Sequence, residues 1–338
     1  MRRLPILSLW LPALCIALAA GCTETKTRVA DNVKSFDYVV VPSSMQGMAI
    51  DLVGQGVRQA AQELHANATF GGPPFPDAAD QMQLVQSILS RPLKGLALEA
   101  LDAAGQAKGI VAANKQHAAV VCFGSEADPP SPIVYVEPVP IKETAEQLMT
   151  ILAIAAGGQG DVVIIAGARM ASFQRRLIRE LLRLSREPRF KGLRIRDTLY
   201  ASNHPTQSRD TAVKLVDFYR DLRGIIGTSP DALAAAARVV TEKNLAGKVA
   251  VTGLGLPQAM KPWLDSQAVP AFLAFDPRRL GYLALYALDS AANKRITGRP
   301  GEILHAGSLG DFTVGADGVI LLGRPELVDA SNVDRFDF

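Results

Sequence analysis

Histidine, cysteine and net charge are all scarce in this chain of 338 residues, and each scarcity removes a class of function. The four histidines, His65, His117, His204 and His305, are scattered, and none stands in a His-Glu-x-x-His or Cys-x-x-Cys spacing. No metal site or histidine-based catalytic set follows from such a pattern. Gly253-Leu254-Gly255-Leu256 begins like a dinucleotide fingerprint but fails at Gln258, where the third glycine belongs, so no cofactor is indicated either. An enzyme needs a nucleophile with its base, or a metal cluster, and the chain is read as a protein that performs no chemistry. Of the three cysteines, Cys15 and Cys22 lie in the first 22 residues, which leaves Cys122 without a disulfide partner. Cys122 stands in the apolar run Ala119 to Phe123 and reads as a small core hydrophobe rather than a nucleophile. The formal charge is only +3; loss of Arg2 and Arg3 with the leader would leave 34 of the 36 basic side chains against 33 acidic ones. Near-neutrality of that kind gives no electrostatic case for nucleic acid or for an anionic membrane surface.

What is present begins with a leader. Residues 1–22 have a basic start at Arg2 and Arg3, an apolar run from Leu4 to Ala20 broken by Pro5 and Pro12, and small residues up to Gly21-Cys22. The ending Leu18-Ala19-Ala20-Gly21-Cys22 resembles a bacterial lipobox, with Ala19 where leucine is usual. That resemblance implies that Cys22 becomes the lipidated first residue of the mature protein, held at a bacterial membrane in the periplasm by its lipid alone. A plainly secreted, soluble periplasmic protein and an uncleaved anchor are the alternatives, and both also place the domain outside the cytoplasm. Thr23 to Ser35 is polar, without periodicity, and suits a tether over 23–35.

With 48% hydrophobic residues and a positive mean hydropathy, the remainder is a well-buried α/β protein. Its length exceeds what one core of about 100–150 residues usually fills, so two lobes are expected. Strands at Tyr38–Val41, Ala68–Phe70, Gly95–Leu101 and Ala119–Phe123 alternate with helices from Ile50, Asp77 and Ala103. That alternation predicts a parallel sheet covered on both faces. A proline-rich crossover between Ser125 and Pro140 leads to a second series with strands near Val162, Leu193, Gly224 and Val249, and helices from Glu143, Ser172, Ser208 and Asp231. Two Rossmann-like lobes follow: 36–137 with about 276–308, and 138–275 with about 309–338. The end of the chain, Asp311 to Val314 and Gly318 to Leu322, reads as a hairpin or edge strands.

In open parallel sheets a ligand sits outside the carboxyl ends of the strands. Loops at those ends offer Ser43, Ser44, Met45 and Gln46, then Glu99 and Asp102, then Phe123, Ser125 and Glu126. From the second series come Arg169, Ser172, Phe173 and Gln174, then Thr228, Ser229 and Asp231, with Asp276 and Arg278 at the expected hinge. For each polar residue the plainer alternative is a helix cap or a solvated loop position, and Ser172 and Asp231 stand where N-caps belong. Arg175, Arg179 and Arg183 form an i, i+4 stripe, either a solvated face paired with Glu180 and Glu187 or a docking face for an acidic partner.

Val249-Ala250-Val251-Thr252-Gly253, Pro257-Gln258-Ala259-Met260-Lys261-Pro262, Leu233 to Ala237, and Gly318 to Leu322 followed by Val333-Asp334-Arg335-Phe336-Asp337-Phe338 complete the pattern. In these segments, from about Phe36 to the end, the chain resembles the type I periplasmic solute-binding proteins, in the branch that takes autoinducer-2 and rhamnose. The resemblance implies a monomer with a multi-crossover hinge that captures a small molecule between its lobes and delivers it to an ABC permease. A sensory relative that signals to a membrane receptor or kinase, or a degenerate scaffold, shares the same lobes. The departures bear on the ligand. Ser43 follows the first strand where the branch has lysine, Phe123-Gly124 stand where it has an acidic residue, and Phe173-Gln174 replace its Asp-Gln. The first loop carries Met45, Met48 and Ile50 rather than rings that stack on a sugar. A less hydroxylated solute, received by Met45, Phe123, Met170 and Phe173, is the expectation.

Overall fold

The computed structural model describes residues 37–128, 133–201 and 204–338. The expected leader over 1–22, the lipidation site Cys22 and the tether lie outside the described residues.

Six parallel strands make the first sheet: β1 (Tyr38–Val41), β2 (Ala68–Phe70), β3 (Gly95–Leu98), β4 (Ala119–Phe123), β5 (Val134–Glu137) and β13 (Val319–Leu321), in the order β2-β1-β3-β4-β5-β13. Its central strands β1, β3 and β4 are buried apolar runs because both faces are covered. Tyr38 and Val40 point into one core layer while Val39 and Val41 point into another. The covering helices are α1 (Ile50–Glu63) and α9 (Pro277–Ala292) on one face, and α2 (Ala78–Ile88) and α3 (Ala103–Lys115) on the other. Helices α1 and α9 approach backbone to backbone. A methyl at Gly56 would stand 1.8 Å from the Arg278 carbonyl oxygen, and one at Gly281 would stand 2.1 Å from that of Val53. Only glycine at both positions lets the chain's late return seat on its first helix.

Four strands make the second sheet: β6 (Gly160–Ala166), β7 (Leu193–Tyr200), β8 (Leu222–Gly227) and β9 (Ala250–Gly253), in the order β7-β6-β8-β9, all parallel. Strand β10 (Phe272–Ala274) continues it through the Leu254–Leu273 bridge and is paired antiparallel by β14 (Glu326–Val328). Val163 and Ile165 face one layer, Val162 and Ile164 the other. The layers are closed by α4 (Ile141–Ala155) and α5 (Ser172–Leu184) on one side and by α6 (Pro205–Phe218), α7 (Pro230–Glu242) and α8 (Pro257–Asp265) on the other. Each sheet therefore runs second, first, third, fourth, fifth strand, with its topological switch point between the first strand and the third.

Among the described residues three stretches cross between the lobes, at Pro138 after β5, at Phe275 after β10, and between β13 and β14. Strand pairing corrects one expectation: the tail was given to the second lobe from about residue 309, yet β13 pairs with β5 at the edge of the first sheet. Strand β12 (Asp311–Thr313) forms a hairpin with β11 (Ile303–His305). Helix starts also differ from the periodicity. Helices α6, α7, α8 and α9 each open on a proline, where a fixed φ and a missing N–H cost nothing, whereas the hydrophobic pattern places the start of α6 at Ser208.

Candidate functional site

The carboxyl ends of both sheets face each other across a cavity of about 140 Å³. That is well below the roughly 300–1,000 Å³ of sites that hold drug-sized ligands, and it suits a small solute. Its wall is mostly apolar: Val53, Pro138, Leu254, Leu256, Phe275 and Leu280, with Phe173 beside them. Its polar side chains are Glu99, Gln174, Thr228 and Ser229.

At the switch point of the first lobe, Glu99 follows β3 and accepts the backbone N–H of Ser43, which follows β1, at 2.9 Å. Burial holds the Glu99 carboxyl above its ordinary range, and the hydrogen bonds from Ser43 pull it back in part. Beyond β4, Gly124 has φ +65°, and a methyl there would stand 3.0 Å from Glu99 Oε1. The acidic residue that the resemblance places after the fourth strand is absent, and the carboxylate of the neighbouring strand occupies the space that a side chain at 124 would enter.

At the switch point of the second lobe, Gln174 in the first turn of α5 is tied to the end of β8. Its Oε1 accepts the Thr228 hydroxyl and, at 3.3 Å, the Gly167 N–H; its Nε2 donates to the Thr228 carbonyl at 3.2 Å. Ser229 caps α7, accepting the N–H of Ala232 at 3.4 Å. The neutral polar groups on this side are thus already engaged with one another.

The lips of the cleft touch. Ser172 was expected to cap α5; the cap position is Ala171, and Ser172 reaches across the cleft instead. Its Oγ accepts the Glu126 N–H at 2.8 Å and lies 3.3 Å from Ser125 Oγ, which in turn accepts the Ser172 N–H at 3.0 Å. Arg175 pairs with Asp128 at 3.3 Å and Arg176 with Glu137 at 2.6 Å. Leu101 packs with Ala168 and Ala171 across the same lip. On the opposite lip Asp231, expected as a cap, accepts the Met48 N–H at 3.4 Å through Oδ2, while its buried Oδ1 has no protein partner. Burial raises the Asp231 carboxyl; the Met48 N–H and the charge of His204 act against that. Glu126 is also raised by burial, offset by Arg176 and reinforced by Glu137 and Asp128.

Of the expected ligand contacts, Glu99, Phe173, Gln174, Thr228 and Ser229 line the cavity and the others stand elsewhere. Phe123 is 1% exposed and buried in the first lobe's core. Met45 is 38% exposed, and Met170 is exposed as well. Ser44 closes a local turn with Gln46, donating to its carbonyl at 3.0 Å. Arg169 is exposed, its guanidinium 4.3 Å above the Tyr200 ring. Asp276 caps α9 and holds Arg278 between itself and Asp337, a clasp at the hinge. The residues that sequence reasoning missed, Leu254 and Phe275 foremost, directly follow β9 and β10, so the strand-end rule could have found them. The arginine stripe is largely satisfied within the chain: Arg183 is paired with Glu180 and Glu187, and Arg175 with Asp128.

Two lobes with strand order two-one-three-four-five, three crossovers and a ligand-sized cavity between them define a type I periplasmic binding protein architecture. Residues 38–296 match the family model described as periplasmic binding protein domain, and the chain belongs to that family. Solved structures agree in fold. An ABC transporter solute-binding protein from Clostridium phytofermentas, with bound L-rhamnose, superposes with a TM-score of 0.86 at 24% identity, over 89% of this chain and 98% of that one. A sugar ABC transporter protein from Actinomyces odontolyticus gives 0.70 at 27% identity, over 91% and 99%. LsrB from Clostridium saccharobutylicum, in complex with AI-2, gives 0.82 at 16% identity, over 89% and 99%. The resemblance read from the chain's second half is met by these findings.

Proposed function

We propose that this protein is the extracytoplasmic receptor of an ABC importer: a binding protein, held by lipid at Cys22, that captures a small solute between its lobes and presents it to a permease. The observation that carries this reading is the closed cleft, in which hydrogen bonds from Ser125, Ser172 and Glu126 join the lips over a cavity with no chemistry-bearing set around it. With the lips joined, entry and release of a solute go by rotation about the crossovers between the lobes. The matched family and the sugar importer relative from Actinomyces odontolyticus support transport as the destination. The ligand is less hydroxylated than the sugars held by the structural neighbours, because the apolar wall leaves few partners for hydroxyl groups.

A thermal-shift screen of the purified protein against sugars, polyols, alcohols, amines and small acids tests the reading. A solute at a hundredfold its Kd stabilises the folded state by about 2.7 kcal/mol, which reads as a rise of several degrees in Tm. A screen in which no class shifts the transition contradicts solute capture.

A further inference from the structure

Glu99 is the one charged side chain lining the cavity among the described residues, and no lysine, arginine or histidine lies with it. An ionised carboxylate offers about four acceptor positions, and here the donors bonded to it come from Ser43 alone, its backbone N–H at 2.9 Å and its hydroxyl. The other polar side chains of the wall have little left to give, since Gln174 and Thr228 are bonded to each other and Ser229 to its own helix. A pyranose brings several hydroxyl groups, each of which costs about 1–3 kcal/mol when buried without a partner. An anion would meet a carboxylate and no counter-charge. Phe173 and Phe275 line the same cavity, and an aromatic face attracts a cation that has lost its water.

Building on the solute-capture reading, we propose that the ligand is a small organic cation, an ammonium group on a compact apolar body, held by Glu99 and by the rings of Phe173 and Phe275. The ammonium supplies the counter-charge that the buried carboxylate lacks, and the apolar body fills the wall of Val53, Leu254 and Leu280. Burial already raises the Glu99 carboxyl, the condition expected of an acid without a partner.

Calorimetry of the purified protein with choline, with its uncharged carbon isostere dimethylbutanol, and with L-rhamnose and D-arabinose tests the proposal. Choline is expected to bind about tenfold or more tightly than the isostere. Glu99→Gln, nearly the same shape, is expected to remove that difference while the protein still melts cooperatively. Phe173→Leu, which keeps the wall apolar, is expected to weaken choline and spare the isostere, and so reports independently should Glu99→Gln fail to fold. Equal binding of choline and the isostere, or tighter binding of either sugar, overturns the cation assignment and leaves solute capture standing. Binding of none of the four overturns the assignment, and when the wider screen is also silent it overturns solute capture with it.

Discussion

The two lobes share a strand order but have built their switch points differently. In the first lobe the gap between β1 and β3 holds one carboxylate, Glu99, whose donors come from Ser43 alone. In the second, the gap between β6 and β8 holds the neutral Gln174–Thr228 pair, with Gly167 as a further donor. The second lobe's site is finished before any ligand arrives, whereas the first lobe's site has capacity left over. Shape therefore resides mainly in the second lobe and charge in the first, and closure brings the two to one solute.

That contrast can be broken from either side, and the largest effect is expected at Gln174. Gln174→Ala strands the Thr228 hydroxyl, its carbonyl and the Gly167 N–H in a buried place, at about 1–3 kcal/mol for each group that water cannot reach. A loss on the order of 3 kcal/mol in denaturant unfolding is expected, and a loss near zero would mean that the pair is not a fixed part of the second lobe. Glu99→Gln moves the other way and raises the stability of the unliganded protein by about 1 kcal/mol, because a buried acid without a counter-charge is replaced by a neutral group.

The pH dependence has a definite sign. The Glu99 carboxyl is raised in the folded state, so its contribution is fully present below the ordinary carboxylate range and is lost as pH rises through the raised value. Thermal melts from the ordinary carboxylate range to neutrality should show the wild type falling relative to Glu99→Gln as pH rises. Parallel curves would contradict the account of Glu99.

Smaller effects are expected away from the switch points. Ser172→Ala removes two of the hydrogen bonds at one lip and favours the open form by about 1 kcal/mol, seen as about fivefold faster release of a bound solute in stopped-flow measurements. Arg183→Ala removes an exposed pairing with Glu180 on the same helix and with Glu187 just beyond its end, and should leave both Tm and solute affinity unchanged within error.

Much of this architecture is legible in the sequence because parallel strands buried on both faces are continuous apolar runs. Tyr38–Val41 and Ala119–Phe123 are found where the runs predict them. Gln174 and Glu99 are legible from their places just beyond such runs. Ser172 and Asp231 are misread for a physical reason: a hydroxyl or carboxylate beside a helix start serves equally as a cap or as a contact with whatever faces it, and only the closing of the lobes decides. Phe123 is misread because the last residue of a buried strand faces either cleft or core according to the pleat, and a shift of one residue reverses the answer. The clasp of Asp276 and Arg278 closes on Asp337, far along the chain, and no local pattern encodes that contact.

The claim at the centre, that the cavity is reached only by opening the lobes, is open to a direct measurement. Ser125 Oγ and Ser172 Oγ lie 3.3 Å apart across one lip, so Ser125→Cys with Ser172→Cys can be oxidised to a cross-link that holds the cleft shut, and the buried Cys122 takes no part. The rate at which the solute giving the largest thermal shift exchanges with the oxidised and the reduced double variant should differ by orders of magnitude, with wild-type exchange restored by dithiothreitol. Exchange by the oxidised protein at the wild-type rate would contradict capture by hinge closure.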